Sequence, residues 1–375
     1  MKKVLRACHS ICKSVKELIQ GVYGPYITYI AENIGLSISM KNKKILLVTG
    51  ATGFVGSHFV ERMLTETDYQ IRCIVRDIKE LGRLTAYRNK IQWVTGDILD
   101  VESLATAFDG VWGVVNLAGY REFWSRQSNH YYSINEQGAK NVFMAALEAG
   151  VEKAVQVSTP LAFGVPKIIP FNEDSPAGKH PNRYGHSKYL GDNAAWELYQ
   201  KAGLPLSIVY LAAVIGAGDD KATMEVRRAV EGNMPALVGA DTTYTYVYLG
   251  DAVESIAQAL IREETIGERY LVGTERATTR EYFNLIGDLA GVPIPDLNIP
   301  ESILKPIASV MELASRVSGV RPMLPLDVLK TTSAGSLLFD GSKAQKVLGL
   351  NYTPLSTALA ESVEEIQQET RQVTV

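Results

Sequence analysis

Residues Ile45 to Gly56 read ILLVTGATGFVG, an aliphatic run followed by three glycines at a spacing of three. In a turn from a strand into a helix, Gly50 permits the sharp bend and Gly53 lets the backbone approach a pyrophosphate. Gly56 lets the helix pack close to the sheet with its positive N-terminal end facing the anion. The stretch therefore predicts a dinucleotide-binding turn, whose remaining cofactor-binding positions are Thr52, Phe54 and Val55.

The pattern on both sides of this turn predicts an α/β fold. Short β-branched runs alternate with helical stretches as far as residue 215, which is typical of a doubly wound parallel sheet. Strands are expected at Ile45–Thr49, Ile71–Val75, Ile91–Val94, Gly113–Leu117, Ala154–Val157 and Leu206–Tyr210. Helices are expected at Phe54–Leu64, Val101–Phe108, His130–Gly150, Tyr184–Gly203, Thr223–Gly232, Val253–Arg262, Arg280–Ala290 and Ser302–Val317. We expect a Rossmann domain over residues 44–215 and a smaller substrate lobe over 216–375, some segments of which return to the sheet.

Composition excludes several classes of protein. The formal net charge of -3, with both signs mixed along the 375 residues, leaves no basic stripe for nucleic acid. The three cysteines lack the spacing of a disulfide framework or a zinc site, so we expect no metal and a reducing, cytoplasmic compartment. No uncharged apolar run reaches the ~18 residues of a spanning helix. Because Lys305 and Glu312 interrupt the apolar stretch Ser302–Val317, a core or cleft-lining helix is favoured there over a membrane helix.

Residues 1–43 form an N-terminal extension that precedes the first strand. Apolar residues recur there at steps of three and four between Val4 and Val22, with lysines and arginines between them. This periodicity predicts an amphipathic helix that ends near Gly21 to Pro25. Lys13, Lys16 and Glu17 break any continuous apolar stretch, which argues against a secretory signal. Packing on the protein body and contact with a membrane surface both stay open.

The choice between the two nicotinamide cofactors depends on the end of the second strand. Arg76 follows Val75 directly, and its planar guanidinium suits the 2′-phosphate of NADP. Asp77 comes one residue later and could accept from the ribose 2′-hydroxyl of NAD. The sequence favours NADP and leaves NAD open.

Tyr184 and Lys188, in the sequence YGHSK, form the candidate catalytic pair. A spacing of four places both side chains on one face of a helix. An ammonium about 4 Å from the phenol, at an effective dielectric of ~20, would favour phenolate by ~4 kcal/mol and lower the pKa of Tyr184 by roughly three units. The tyrosine could then take the proton of an alcohol, or return it to a ketone.

Taken together, these motifs resemble the extended short-chain dehydrogenases and reductases, the superfamily of NAD-dependent epimerases and dehydratases. The resemblance covers about Lys44 to Glu364. It implies that Tyr184 and Lys188 also contact the cofactor, and it assigns further cofactor-binding positions after the third and fourth strands at Asp97, Ile98, Leu117, Ala118 and Gly119. It also implies a homodimer built from the helices at His130–Gly150 and Tyr184–Gly203.

The same family pattern points to a third catalytic group in the stretch STPLAFG, residues 158–164. There the active hydroxyl lies five residues before the glycine, which is Thr159; Ser158 is the adjacent alternative. A hydroxyl at this strand end can donate to the substrate oxygen on which negative charge develops. The sugar-nucleotide dehydratases carry an acidic pair directly after this threonine, but Pro160 and Leu161 occupy those places and cannot move a proton.

Other segments are similar to the dihydroflavonol-reductase-like, 3β-hydroxysteroid-dehydrogenase-like and hopanoid-associated epimerase-like bacterial enzymes. They are Gly119–Trp124, Gly232–Pro235, Gly267–Val272, Phe339–Ala344 and Leu348–Leu350. This similarity implies an apolar or polyketide-like ketone or alcohol as substrate. The candidate substrate-side residues follow the fourth strand, where the cleft opens. They are Tyr120, Arg121 and Trp124.

We therefore predict an enzyme that interconverts a secondary alcohol and a ketone by hydride transfer with NAD(P). Two alternatives stay open: an NAD(P)-dependent epimerase of a sugar or sugar nucleotide, which keeps its cofactor and returns the hydride to the other face, and a non-catalytic NAD(P)-sensing protein that has lost the chemistry. Net turnover of the cofactor would distinguish the predicted oxidoreductase from the epimerase. The intact set of Thr159, Tyr184 and Lys188 argues against the second.

Overall fold

The computed structural model describes residues 43–218 and 220–373. The predicted amphipathic helix of the N-terminal extension lies outside these residues. Residues 44–375 belong to one compact unit, and the functional description below concerns this unit.

A seven-stranded parallel sheet forms the centre of the fold. Its strands are β1 (Ile45–Thr49), β2 (Gln70–Val75), β3 (Gln92–Thr95), β4 (Val111–Asn116), β5 (Lys153–Ser158), β6 (Leu206–Leu211) and, much later in the chain, β10 (Arg269–Val272). The order across the sheet is β10-β6-β5-β4-β1-β2-β3, and every neighbouring pair is parallel. The chain reverses direction across the sheet between β1 and β4, which is where such sheets open a ligand crevice. The predicted doubly wound sheet is confirmed.

Crossover helices pack on the sheet at the predicted places. They are α1 (Phe54–Glu66), α2 (Val101–Ala107), α3 and α4 (Arg183–Ala202). Helix α3 comprises His130–Tyr132, a π-helical stretch Ser133–Gly138 and Ala139–Ala149. The π-helical stretch was not predicted, because apolar periodicity does not distinguish it from an α-helix, and such stretches are frequent at functional sites. Short 3₁₀ segments occupy Gly82–Lys90, Pro160–Phe163 and Glu263–Thr265.

The C-terminal part of the chain adds two small sheets and seven helices to the described structure. Strands β7 (Ala213–Ile215), β9 (Thr243–Tyr248) and β11 (Glu275–Thr278) form one sheet, and β8 (Leu237–Val238) pairs with β12 (Asn298–Ile299). The helices are α5 (Asp220–Val230), α6 (Leu249–Ile261), α7 (Thr279–Ala290), α8 (Glu301–Ser318), α9 (Leu326–Ser333), α10 (Ser342–Leu348) and α11 (Leu355–Val373). Helix α6 packs on the large sheet, and a second apolar cluster holds α5, α7 and α11 around β9.

Helix α8 corrects one sequence expectation. Leu304, Ala308 and Ser315 are buried, as a core helix requires. However, the larger apolar residues of the same helix are exposed, so the interpretation as a core or cleft-lining helix is wrong for its outer face. The sequence showed how much of the helix is apolar, but not that α9 covers only one side of it. No helix of the described residues is both long and apolar enough to cross a membrane.

Candidate active site

The turn between β1 and α1 packs tightly against the end of β4. Gly50 has a φ of +64°, and a Cβ added to it would lie 2.5 Å from the backbone nitrogen of Ala118 and the carbonyl carbon of Leu117. A Cβ on Gly56 would lie 2.2 Å from the carbonyl oxygen of Gly50. Both positions therefore require glycine. The turn is closed by a hydrogen bond from the Gly53 N–H to the Gly50 carbonyl, 3.1 Å long.

This turn has the features of a dinucleotide cradle. Thr52 and Gly53 are exposed, Gly53 is the N-cap of α1, and Phe54 and Val55 begin the helix. No side chain caps the first backbone N–H groups of α1, so these groups can donate hydrogen bonds to an anion. The residues present thus fit the pyrophosphate of a nicotinamide dinucleotide, next to the β1/β4 reversal of the sheet.

The end of β2 separates the two candidate ribose-binding residues. The Asp77 carboxylate already accepts a hydrogen bond from the Lys79 N–H, 2.8 Å away. Arg76 is exposed and makes no hydrogen bond or ion pair with the residues that the structure describes. The guanidinium therefore has no partner in the described structure, whereas the exposed Asp77 carboxylate has one and keeps further acceptor capacity.

The cofactor-binding positions predicted after the third and fourth strands also lie at the carboxyl edge of the sheet. Asp97 follows β3, and its carboxylate accepts from the Leu99 N–H at 2.9 Å. Ile98 is buried against Gly138, and its carbonyl accepts from the Asn141 side chain at 3.0 Å. Gly119 stays exposed after β4.

Tyr184 and Lys188 lie on the first turns of α4. Asn182 caps this helix, since its side-chain oxygen accepts from the Gly185 N–H at 2.7 Å. Lys188 is buried, and its ammonium donates to the Val157 carbonyl on β5 at 2.9 Å. An ammonium has three donors, so two of them stay available for a ligand.

The two candidate hydroxyls after β5 have different environments. Ser158 is buried and donates its proton to the Asp192 carboxylate. Thr159 accepts a long hydrogen bond from the Leu161 N–H, 3.4 Å, which leaves its own proton available. Ser158 therefore holds the buried Asp192, and Thr159 is the hydroxyl whose proton is available for a ligand.

A buried polar chain beneath the site was not predicted from the sequence. Asn116 donates to Gln156 at 2.8 Å, and Gln156 donates to Asp192 at 3.0 Å. Thr49 extends this hydrogen-bonded chain by donating to the Asn116 side chain, and it also accepts from the Ala118 N–H at 3.2 Å. The chain thus links β1, β4, β5 and α4. Asp192 follows Lys188 by four residues on the same face of α4, and that spacing is the signal that could have revealed it.

The pKa values correct the electrostatic expectation for Tyr184. Burial raises the pKa of Tyr184 to about 12; Arg121 opposes this shift and Asp192 adds to it. Burial also lowers the pKa of Lys188, against the attraction of Asp192, and it raises the pKa of Asp192. The expected lowering of the Tyr184 pKa by Lys188 is therefore wrong for the protein without cofactor, because desolvation outweighs the charges. Tyr184 is a protonated phenol at neutral pH.

The loop after β4 approaches Tyr184 with a different aromatic residue from those predicted. The ring of Phe123 contacts that of Tyr184 edge-on, with centroids 6.4 Å apart. Tyr120 instead packs edge-on against His130 and Tyr131, at 5.8 Å and 5.1 Å. Trp124 is half-buried in the same loop, and Arg121 is exposed.

Asn135 in the π-helical stretch holds this loop in place. Its amide accepts from the Tyr120 N–H at 2.7 Å and donates to the Tyr120 carbonyl at 2.9 Å. It also donates to Ser187 of α4 at 2.9 Å. The π-helical stretch of α3 thus connects the loop after β4 to α4. The periodicity of the sequence alone did not indicate this connection.

The fold and the site together define a class of nicotinamide-dinucleotide enzymes that combine a glycine cradle with a tyrosine-lysine helix. Residues 46–273 match the model of the NAD dependent epimerase/dehydratase family, and the chain belongs to this family. It is therefore an enzyme that depends on a nicotinamide dinucleotide.

Three known proteins illustrate the relationship. A Synechocystis protein provisionally named dihydroflavonol 4-reductase is 30% identical over 329 residues, which cover 85% of this chain and 94% of that protein. The Arabidopsis thaliana 3beta-hydroxysteroid-dehydrogenase/decarboxylase isoform 1 is 25% identical over 348 residues, which cover 85% of this chain and 78% of that one. The crystal structure of gox2253 aligns with a TM-score of 0.73 at 32% identity, covering 88% of this chain and 99% of that one.

Proposed function

We propose that this enzyme interconverts a secondary alcohol and a ketone, with Tyr184 as the group that carries the proton. The observation that carries the proposal is that Tyr184 and Lys188 lie four residues apart at the start of α4, where Lys188 donates to Val157 near the end of β5, the strand that Thr159 follows. The bound nicotinamide supplies a carrier for two electrons and one hydrogen.

The protein's own groups have distinct tasks in this scheme. As a protonated phenol, Tyr184 can donate its proton to a ketone oxygen as negative charge develops there. Thr159 donates a second hydrogen bond to the same oxygen and stabilises that charge. Lys188 offers its two remaining donors to the cofactor ribose, while the Val157 carbonyl holds the ammonium in place.

NADP is the cofactor that we propose. Arg76 has an exposed guanidinium with no partner among the described residues, and it follows β2, where the ribose phosphate is expected. Asp77 is the alternative, as a ligand for the ribose of NAD, because its exposed carboxylate can accept further hydrogen bonds besides that from the Lys79 N–H.

The substrate that we propose is largely apolar. Phe123 contacts Tyr184, the half-buried Trp124 follows it in the same loop, and the related enzyme of Arabidopsis is named for a steroid. Arg121 lowers the pKa of Tyr184, so it lies within electrostatic range of the reacting oxygen and can orient a polar end of the substrate.

An epimerase is the second candidate, because the family description includes that activity. A panel of ketones and alcohols, followed by the absorbance of NADPH and NADH, tests both. An oxidoreductase consumes or produces one equivalent of reduced cofactor for each product molecule. An epimerase changes the configuration of its substrate with no net change in absorbance, and this result would replace the proposal. A protein that binds NADP but changes no substrate would support the non-catalytic sensor.

A further inference from the structure

Helix α8 presents an apolar surface to solvent, which we call the α8 surface. Its side chains recur at helical steps of three and four and continue past the helix end, and their exposed fractions range from 49% to 82%. They are Ile303, Ile307, Val310, Leu313, Val317, Val320 and Met323. Scattered exposed apolar residues are ordinary, but a continuous stripe marks an interaction site.

The α8 surface is not needed for packing within the described chain. Leu304 and Ala308, on another side of the helix, already form a buried cluster with Leu329 of α9. Because the two sides of α8 are separate, the exposed residues contribute little to the core. Their apolar character requires another explanation.

Charges around the α8 surface are arranged with the cations outward. Two ion pairs lie within α8, one lies within α9, and one joins the loop after α8 to the loop after β4; they are Lys305–Glu301, Arg316–Glu312, Lys330–Asp327 and Arg321–Glu122. In these pairs the cationic side chains are 43% to 61% exposed, whereas the acidic ones are only 9% to 26% exposed. An approaching surface therefore meets the positive charges first.

The α8 surface is continuous with the loop that reaches the catalytic tyrosine. Arg321 contacts Glu122 at 3.3 Å, and the guanidinium of Arg126 lies 3.2 Å from where a Cβ on Gly319 would be. Phe123, between these two loop residues, contacts Tyr184. The C-terminal end of α8 thus lies beside the expected entrance for substrate.

We propose that the α8 surface docks the enzyme on an anionic lipid bilayer. Apolar side chains bordered by outward-facing cations are the composition of a helix that lies in the plane of the membrane interface. At 18 residues the helix is about 27 Å long, enough to lie along the interface, and no described helix crosses a membrane. Docking would bring the loop with Phe123 to the bilayer, from which an apolar substrate could enter. Only this last step rests on the proposed function.

Vesicle binding by the full chain tests the proposal. The α8 variant replaces Ile307, Val310 and Leu313 by Gln, and the control variant replaces Val101, Ile168 and Ile261 by Gln, which are 46% to 77% exposed at other places in the fold. Vesicles of phosphatidylcholine with phosphatidylglycerol are sedimented with each protein, without cofactor or substrate. We expect the α8 variant to lose at least tenfold in partition coefficient and the control less than twofold. Binding of the parent protein should weaken when phosphatidylglycerol is omitted or when salt is added.

Several outcomes would overturn the docking proposal. One is a loss below twofold in the α8 variant, which would mean that another segment, such as the N-terminal extension, carries any binding. Another is unchanged vesicle binding together with a change from dimer to monomer in sedimentation equilibrium, which would make the α8 surface a subunit interface. Equal cofactor affinity and melting temperature of both variants exclude unfolding as the cause of a loss. Since the assay uses no substrate, it gives its answer even if the proposed redox reaction fails.

Discussion

The carboxyl edge of the large sheet and the outer face of α8 differ in how they treat polar and apolar groups. Beneath the candidate active site, Asn116, Gln156 and Asp192 are buried, and each is hydrogen-bonded to the next. On α8, large apolar side chains are exposed while the nearby acidic groups are partly covered. Each region departs from the usual rule of apolar inside and polar outside.

The two departures have different physical consequences. A buried polar chain is tolerable only when its members are satisfied, so it fixes the side chains that it holds. An exposed apolar stripe does not hold other side chains in position. Its burial in a contact with a partner would be favourable, which is why such a stripe marks an interaction site. We infer that the first region serves chemistry and the second serves recognition, and the experiments below test this distinction.

Replacing Tyr184 by Phe should have the largest effect on the polar region. The change removes one oxygen and keeps the ring contact with Phe123, so folding and cofactor binding should be unchanged. Turnover should fall by roughly 10²–10⁴-fold, as is typical when a general acid–base group is lost. Steady-state kinetics with any substrate from the panel would measure this. A Phe123→Leu variant is the control for a disturbed ring contact and should retain most of the rate.

Replacing Asp192 by Ala should show whether the buried chain is as tightly coupled as its hydrogen bonds indicate. The change leaves the Ser158 hydroxyl and the Gln156 amide without their buried acceptor. Each buried group that loses its hydrogen-bond partner costs about 1–3 kcal/mol, which urea unfolding would measure as a lower midpoint. Asp192→Asn keeps the shape of the side chain and should lose less stability. If Asp192→Ala unfolds at the same urea concentration as the parent protein, the hydrogen-bonded chain of Asn116, Gln156 and Asp192 does not stabilise the site.

The two hydroxyls after β5 give a matched pair of variants. Thr159→Val removes the hydroxyl that we propose as a donor to the substrate oxygen, and the rate should fall by about 10²–10³-fold with little change in cofactor affinity. Ser158→Ala removes a donor to Asp192 and should lower stability more than rate. A larger rate loss in Ser158→Ala than in Thr159→Val would exchange the two assignments.

Arg76→Ala should have a smaller effect, which is confined to one cofactor. Hydrogen bonds to charged groups contribute about 1.5–3 kcal/mol, so the Kd for NADP should rise roughly tenfold to a hundredfold. Binding of NAD should hardly change. Calorimetric titration of both cofactors would show this, and equal losses for both would mean that Arg76 does not contact the 2′-phosphate.

The sequence predicted the strands and helices that form the candidate active site far better than it predicted the exposure of α8. Strand and helix bounds around β1 and α4 agree within a few residues, because Gly50, Gly53 and Gly56 and the β-branched runs are local signals. The buried chain of Asn116, Gln156 and Asp192 joins residues that are about 40 positions apart, so a local pattern can reveal only Asp192, which follows Lys188 by four residues. The exposure of α8 depends on which neighbours cover it, and that is also not a property of its own sequence.

The proton carrier itself is tested most directly by the pH dependence of kcat in both directions. Burial raises the pKa of Tyr184 to about 12, so the phenol keeps its proton at neutral pH and can serve as an acid there. Ketone reduction should therefore be level from neutral to mildly alkaline pH, whereas alcohol oxidation, which needs the phenolate, should rise with pH over the same range. In Tyr184→Phe the rise should disappear. Oxidation that is independent of pH in the parent enzyme, or that rises equally in Tyr184→Phe, would contradict the assignment of Tyr184 as the proton carrier.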